Sequence, residues 1–561
     1  MKGKLGAALL VIMCVGTSAC SGVPTSGPIE EGPVVAVAGQ DQFIRVIARP
    51  PVPGMAPEDL VRAFQEASAS ADNAYLVARE YLTPAAASTW NPGAGVSIYD
   101  NGGLTYTAKA DAVEVQGNLL GSLDFLGQYS VANPGTRLDD KYRLTKVNGE
   151  WRIDGLPEGL VLGPGDIDRG FRAFDLYYFS RDFNNLVPAP VTIPVSGAGM
   201  ATQLVRALLA GPTPWIAPSV RTGFPEGTKL ALDSVPVVDG VAQVALSSEV
   251  LQSDDATRKA LSAQLAWTLR QVPSVGAFRM TVGGQPVSVP GQSAVQSVNS
   301  WNTYDPDHAG KGAVAVHGQG LVSVTADDKL APLGQTRPPI VAPAVDLADT
   351  QVAGLSVDRR SLWVTKLGSL QTSFKRYTGA DLSRPSWDVT GALWVVDRGQ
   401  GLVLIRDGSA TRIAVSGLPA GVRDADLLSV TISRDGTRAG LLVRRGTRVE
   451  PMVARVERTG DVVRVADPIR IESILTDAVD LSWSDSATLA VLGTSGAGSL
   501  QVAYIAIGTT RVSTVAVPDG AVSIAAAPAM STLIGAGGSL YRSVGNTWTS
   551  IGEGVDPVYP G

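Results

Sequence analysis

The chain has 561 residues, enough for about three or four domains at roughly 150 residues each. Its 46 Lys and Arg against 52 Asp and Glu give a formal charge of −6 at pH 7, a mild acidity that argues against a phosphate-neutralising nucleic-acid face. With 2 Cys in the whole sequence, neither a disulfide framework nor a cysteine zinc site has the residues it needs.

Lys2 and Lys4 open the chain, residues 5–15 form an almost uninterrupted apolar run, and the small residues Thr17, Ser18 and Ala19 stand directly before Cys20. That is the order of a secretory signal: positive start, apolar stretch, small-residue cleavage site. The run is shorter than the roughly 20 apolar residues that cross a bilayer core, and no later segment approaches that length. Cys20 turns the signal into a bacterial lipobox, although Thr17 departs from the Leu most often found at its place. Residues 1–19 are therefore expected to be removed, with a diacylglycerol on the Cys20 thiol. A plain secretory signal with an incidental cysteine is the competing reading. Against it stands the tether expected over residues 20–40, where Ser21-Gly22-Val23-Pro24-Thr25-Ser26-Gly27-Pro28 is too rich in Gly, Pro and Ser to bury apolar surface. Two or more acyl chains, at about 0.8 kcal/mol per buried methylene, would make the anchor lasting. Loss of Lys2, Lys4 and Cys14 with the leader would leave a charge of −8 and no free thiol. The expected location is the outer face of the cytoplasmic membrane.

Residues 41–170 read as a first domain. Pro57-Glu58-Asp59 opens a helix with Leu60, Phe64, Ala67 and Ala71 on one face, and a second helix is expected over residues 75–82, ended by Thr83-Pro84. Short alternating runs follow at residues 96–99, 104–107, 112–115, 141–144 and 151–153, with Asn148-Gly149 as a two-residue hairpin turn. Helices first and a curved antiparallel sheet afterwards resemble the cone-shaped α+β fold of the nuclear transport factor 2 superfamily, whose members hold small ligands or serve as protein-binding wedges.

Residues 171–295 form the second expected domain. Residues 174–179 read as a strand, and a helix through residues 204–209 stops at Ala210-Gly211-Pro212. Asp239-Gly240 marks a hairpin, and residues 256–271 form an amphipathic helix with Leu261, Leu265, Trp267 and Leu269. This order, with its LLAGP, FPEGTKL, VALSSE and AQLAWTL runs, resembles the α+β GerMN domain of spore-germination proteins, a binding or assembly module.

Residues 300–561 carry loose repeats of strand, polar turn and strand: residues 352–364, 385–395, 430–443, 481–491 and 524–535, with a weaker first copy at 312–333. Their recurrence near the roughly 40 to 50 residues of a propeller blade predicts an all-β propeller of about six blades, in preference to a β-sandwich with recurrent hairpins.

Lipobox, cone, GerMN-like segment and propeller, in that order, resemble the actinobacterial LpqB lipoprotein family over essentially the whole chain. The most specific stretches are Ala78-Arg79-Glu80-Tyr81-Leu82-Thr83-Pro84 and Gly149-Glu150-Trp151-Arg152-Ile153-Asp154-Gly155-Leu156-Pro157. The resemblance implies an accessory to the MtrA–MtrB two-component system that contacts the extracytoplasmic domain of the sensor kinase MtrB in envelope and division control.

No residue set competes on chemical grounds. His308 in Asp305-Pro306-Asp307-His308 lacks a second histidine nearby and reads as linker, and His317 reads as a packed strand residue. No Gly-x-Ser-x-Gly elbow exists. Gly163-Pro164-Gly165 and Gly197-Ala198-Gly199 do not continue into a phosphate loop and read as loops. Asp254-Asp255 and Asp327-Asp328 are ordinary surface acids. The expectation is thus no catalytic residue, no metal site and no cofactor, with lipidation at Cys20. A cell-wall hydrolase, whose two carboxylates need no fixed spacing, and a small-ligand carrier using the cone remain the alternatives. Convergent titratable groups in a deep pocket would favour the enzyme.

Overall fold

Helix Pro57–Ser68 sets the first domain: Pro57 at its first turn and Glu58 and Asp59 beside its positive end favour initiation, and Leu60, Val61, Phe64 and Ala67 are buried. The sheet beneath it runs in the order Glu150–Gly155, Arg137–Val147, Ala112–Leu123, Val96–Tyr99, Leu160–Leu162. It is antiparallel except at one edge, where Leu160–Leu162 lies parallel to Val96–Tyr99; three residues are too few to show a period in the sequence. Asn148 and Gly149 take φ of 54° and 86°, as the two-residue hairpin requires. The computed structural model describes residues 48–195, 199–307, 312–325, 327, 329–471 and 474–561, all within one compact unit. The leader, Cys20, the tether of residues 20–40, His308, Gly197, Ala198 and Asp328 lie outside the described residues.

Three local expectations are corrected here. The second helix does not fill residues 75–82: Asn73, Ala74 and Tyr75 have positive φ, and only Leu76–Arg79 is α-helical. This kink sets the Tyr75 ring edge-on to Trp90, centroids 6.0 Å apart. Thr83-Pro84 starts a helix, Pro84–Thr89, because the Thr83 hydroxyl accepts the Ala86 N–H at 3.2 Å. Gly163-Pro164-Gly165 likewise opens helix Pro164–Gly170, where the Asp166 carboxylate accepts the Gly163 N–H at 3.1 Å.

In the second domain, Phe171–Ser180 and Leu186–Pro194 form a long antiparallel ribbon. Beside it, Val241–Leu246 and Ala277–Val282 run parallel, so a crossover must join them. Helix Asp255–Leu269 is that crossover; Asp254 caps it by accepting the Thr257 N–H at 2.8 Å, which gives the Asp254-Asp255 pair a structural role. Helix Met200–Ala210 ends at Gly211, φ 95°. Leu204, Leu208, Leu261, Leu265 and Phe278 fill the core between helices and sheet.

The remainder is six sheets of four or five strands. Their innermost strands, in blade order, are Val555–Val558, Val341–Val345, Ser386–Trp387, Leu427–Ile432, Leu475–Trp483 and Ala521–Ala525. Each packs on the next, and the last on the first, so the blades form a closed ring. The first blade takes its innermost strand from the far end of the sequence: Val555–Val558 pairs antiparallel with Val314–His317. The repeats are out of phase in two copies, 312–333 and 352–364, which both begin on the second strand of a blade. Residues 352–364 supply the second and third strands of their blade, whereas the later copies supply the first and second. Both turn types are closed by a short carboxylate, which is why the text looked alike: the Ser356 hydroxyl donates to Asp358 at 2.5 Å and that of Ser433 to Asp435 at 2.6 Å. His317, expected to be packed, is more than half exposed at the end of its strand, its Nε2 3.7 Å from Glu553.

Candidate functional site

The six innermost strands surround a funnel of about 500 Å³ at one mouth of the ring. Arg384, just before the innermost strand of the third blade, reaches into its floor. Its guanidinium lies 3.5 Å from the Asp480 carboxylate on the fifth blade and 3.3 Å from that of Asp556 on the closing strand, and it donates to the Ile524 carbonyl on the sixth at 3.4 Å. One side chain therefore ties four blades together. Burial pushes the Asp480 carboxyl up from its ordinary value, with Arg384 and the N–H groups of Ile524 and Leu481 opposing. Those two N–H groups donate to Asp480 at 2.9 and 3.0 Å. Asp556 accepts the Ala342 N–H at 3.0 Å, and its own φ of 52° aims it there.

Convergent titratable groups do therefore meet in a deep pocket, but each acid of the floor is already engaged by main-chain donors as well as by Arg384. Nearer the opening, Arg398 is held by Asp381 at 3.3 Å and by the Leu428 carbonyl at 3.2 Å. Arg359, Ser429 and Arg444 complete the polar lining, and Val479 and Val522 belong to its apolar part. What this arrangement can do is hold a ligand by charge and apolar contact.

A second polar centre lies in the join between the second domain and the propeller. Arg438 is 1% exposed and pairs at 3.0 Å with Asp435, which is fully buried. The same guanidinium donates to the Pro188 carbonyl of the second domain and, at 3.4 Å, to the Ser486 carbonyl. Asp307, on the segment entering the propeller, accepts the Ser486 N–H and hydroxyl, both at 2.7 Å. Burial raises the carboxyls of Asp175 and Asp307 to about 6, and the neighbouring Asp485 adds to both shifts. All three domains meet close by: the Thr192 N–H donates to the Gly127 carbonyl at 2.7 Å, and the Tyr129 N–H to the Gly508 carbonyl at 3.1 Å. A Cβ on Gly127 would sit 2.6 Å from the Thr192 oxygen, so the contact needs glycine.

Arg384, Asp480, Asp556 and Arg438 cannot be grouped from the sequence, since they come from different blades and share no motif. The one available signal was arginine in otherwise apolar strand text. Among the described residues no grouping of three or more His, Cys, Asp or Glu could hold a metal ion, and no helix is long and apolar enough to cross a membrane.

Three family models match: "Lipoprotein LpqB, N-terminal domain" over residues 50–168, "Sporulation and spore germination" over residues 175–288, and "Lipoprotein LpqB beta-propeller domain" over residues 319–560. Lipoprotein LpqB of Thermobifida fusca is 32% identical, with 100% of this chain and 99% of that protein covered. That of Streptomyces coelicolor is 28% identical over 97% of this chain and 95% of the relative. Among solved structures, the first GerMN domain of the sporulation protein GerM from Bacillus subtilis is 21% identical, covering 22% of this chain and 97% of that one with a TM-score of 0.20.

Proposed function

We propose that this chain, which belongs to the LpqB lipoprotein family, is held by lipid on Cys20 at the outer face of the cytoplasmic membrane. There it acts without turnover, by contact with the extracytoplasmic domain of an MtrB-type sensor kinase. The observation that carries the reading is the way the three domains are joined. Trp215, Arg438, Asp307 and Thr192 lock them through main-chain hydrogen bonds, so the protein offers one fixed surface and not a string of mobile modules. The floor of the funnel supports the same reading, because Asp480 and Asp556 are each engaged by a main-chain N–H and by Arg384. A lipid anchor would raise the local concentration of any partner in the same membrane, so that a weak contact is well occupied.

The test is reconstitution of the lipidated protein with the kinase in liposomes, following phosphotransfer to the response regulator. The lipidated form is expected to change the phosphotransfer rate, and the Cys20→Ser ectodomain to do so only at much higher concentration. Equal potency of the two forms removes the role of the anchor. Hydrolysis of purified peptidoglycan or arabinogalactan by the ectodomain would instead establish the enzyme alternative.

A further inference from the structure

The funnel lining holds four arginines, 359, 384, 398 and 444, and three aspartates, 381, 480 and 556. Their distribution is uneven. All three aspartates are paired with Arg384 or Arg398. Arg444 is exposed and Arg359 half-buried, and neither has a carboxylate within ion-pair distance among the described residues. On a chain with a net charge of −6, two uncompensated cations at one mouth are a local reversal of sign. Beside them, Val479 and Val522, on the innermost strands of the fifth and sixth blades, are 42% and 60% exposed, although most valines of this propeller are buried.

A lone inorganic anion would use the arginines and gain nothing from the valines, and an apolar small molecule would do the reverse. The opening, of about 500 Å³, is within the usual size range of ligand clefts. We infer that the funnel mouth docks an extended segment of a partner protein in which carboxylate side chains alternate with apolar ones, the carboxylates meeting Arg359 and Arg444 and the apolar groups covering Val479 and Val522. The proposal rests on the adaptor reading above and assigns the surface through which it would work. Charge complementarity of this kind speeds encounter and fixes orientation, and burial of the two valines supplies contact that survives salt.

The probes are fluorescein-labelled ten-residue peptides of Glu, Val and Gly, against control peptides with Lys in place of Glu, read by anisotropy on the intact ectodomain. The Glu peptide is expected to bind, and the Lys peptide not. Arg359→Glu and Arg444→Glu should each weaken binding about 10-fold, a change of about 1.4 kcal/mol, and Val522→Ser by several-fold. Arg137→Glu on the first domain should have no effect. Arg444 is exposed and Arg359 half-buried, and neither has an ion pair to lose among the described residues, so the variants should keep the parent melting curve, which is checked alongside. Equal binding of both peptides, no binding of either, or full displacement by millimolar phosphate overturns the proposal. If the peptide binds but reconstituted phosphotransfer is unaffected, the site stands and the kinase reading fails. If phosphotransfer responds but no peptide binds, the reading stands and the site fails.

Discussion

Trp215 in the second domain donates its indole N–H to the main-chain oxygen of Asp467 in the fourth blade, at 2.8 Å. The Asp467 carboxylate is held in turn by Arg455, 2.5 Å away, and Arg455 also donates to the Trp215 carbonyl at 3.4 Å. The indole packs against the cores of both domains, so a half-buried aromatic serves as the pin of the join.

Trp215→Ala removes that pin without opening either core. It should cost about 1–3 kcal/mol, less than a fully buried aromatic because part of the ring is already in water. Hydrogen exchange should rise at residues 186–194 and 433–438 while both domains stay folded. Unchanged protection there would show that the join does not depend on the tryptophan.

Arg438→Met tests the buried pair. Removing the guanidinium leaves Asp435 buried without its counter-charge, a loss of about 3–5 kcal/mol, and orphans the Pro188 carbonyl. The double variant Arg438→Met/Asp435→Asn should recover part of the loss, because a neutral amide needs no counter-ion. Single and double variants that melt together would mean the pair contributes no coupling.

Asp175 and Asp307 predict a pH response. Their folded values of about 6 lie above the ordinary 3.8, so the stability they contribute is fully present below about 3.8 and is lost as pH rises through about 6. Lowering the pH from 7.5 to 5 should therefore stabilise the join by on the order of 1–2 kcal/mol per carboxyl, after discounting for partial exposure. Acids whose values are lowered, such as Asp388 beside Arg458 and Asp182 beside Ser180, oppose this trend only at lower pH. Melting curves of the parent against Asp175→Asn and Asp307→Asn check it: the asparagine variants should be flatter over that window. A parent that loses stability steadily from pH 7.5 to 5 contradicts the assignment.

The propeller was legible because its signal is local: apolar strand text, a short polar turn, and apolar text again. The side chains of the turn residues Ser433, Asp435 and Thr437 bond to one another, so the sequence carries the turn motif. The helix starts at Pro57 and Asp254 were legible for the same reason. The kink at residues 73–75 was not, since it depends on where Trp90 sits, and neither were the edge strand Leu160–Leu162 or the ends of the repeats. The funnel was invisible in principle. Arg384, Asp480 and Asp556 are spread over 173 positions of the chain and meet only because the ring closes.

That closure carries the last prediction. Val555–Val558 is short, yet it is the innermost strand of the first blade, and it also packs on the innermost strands of the second and sixth. Asp556 within it bonds to Ala342 and Arg384. A chain stopped after Glu553 therefore loses more than its last eight residues: the first blade is left without its inner strand, Arg384 loses a partner, and the edge of Val314–His317 is exposed as an unpaired ladder. Because blades are held side to side, the damage should spread round the ring, and the truncated protein should lose the propeller transition as a whole and aggregate. The first two domains have their own cores and should survive as a protease-resistant fragment. Adding the missing peptide in trans should restore part of the propeller melt if closure is by strand pairing alone. A truncated protein that keeps five blades intact, with only the first frayed, would mean that the blades are stable units and that the closing strand is dispensable.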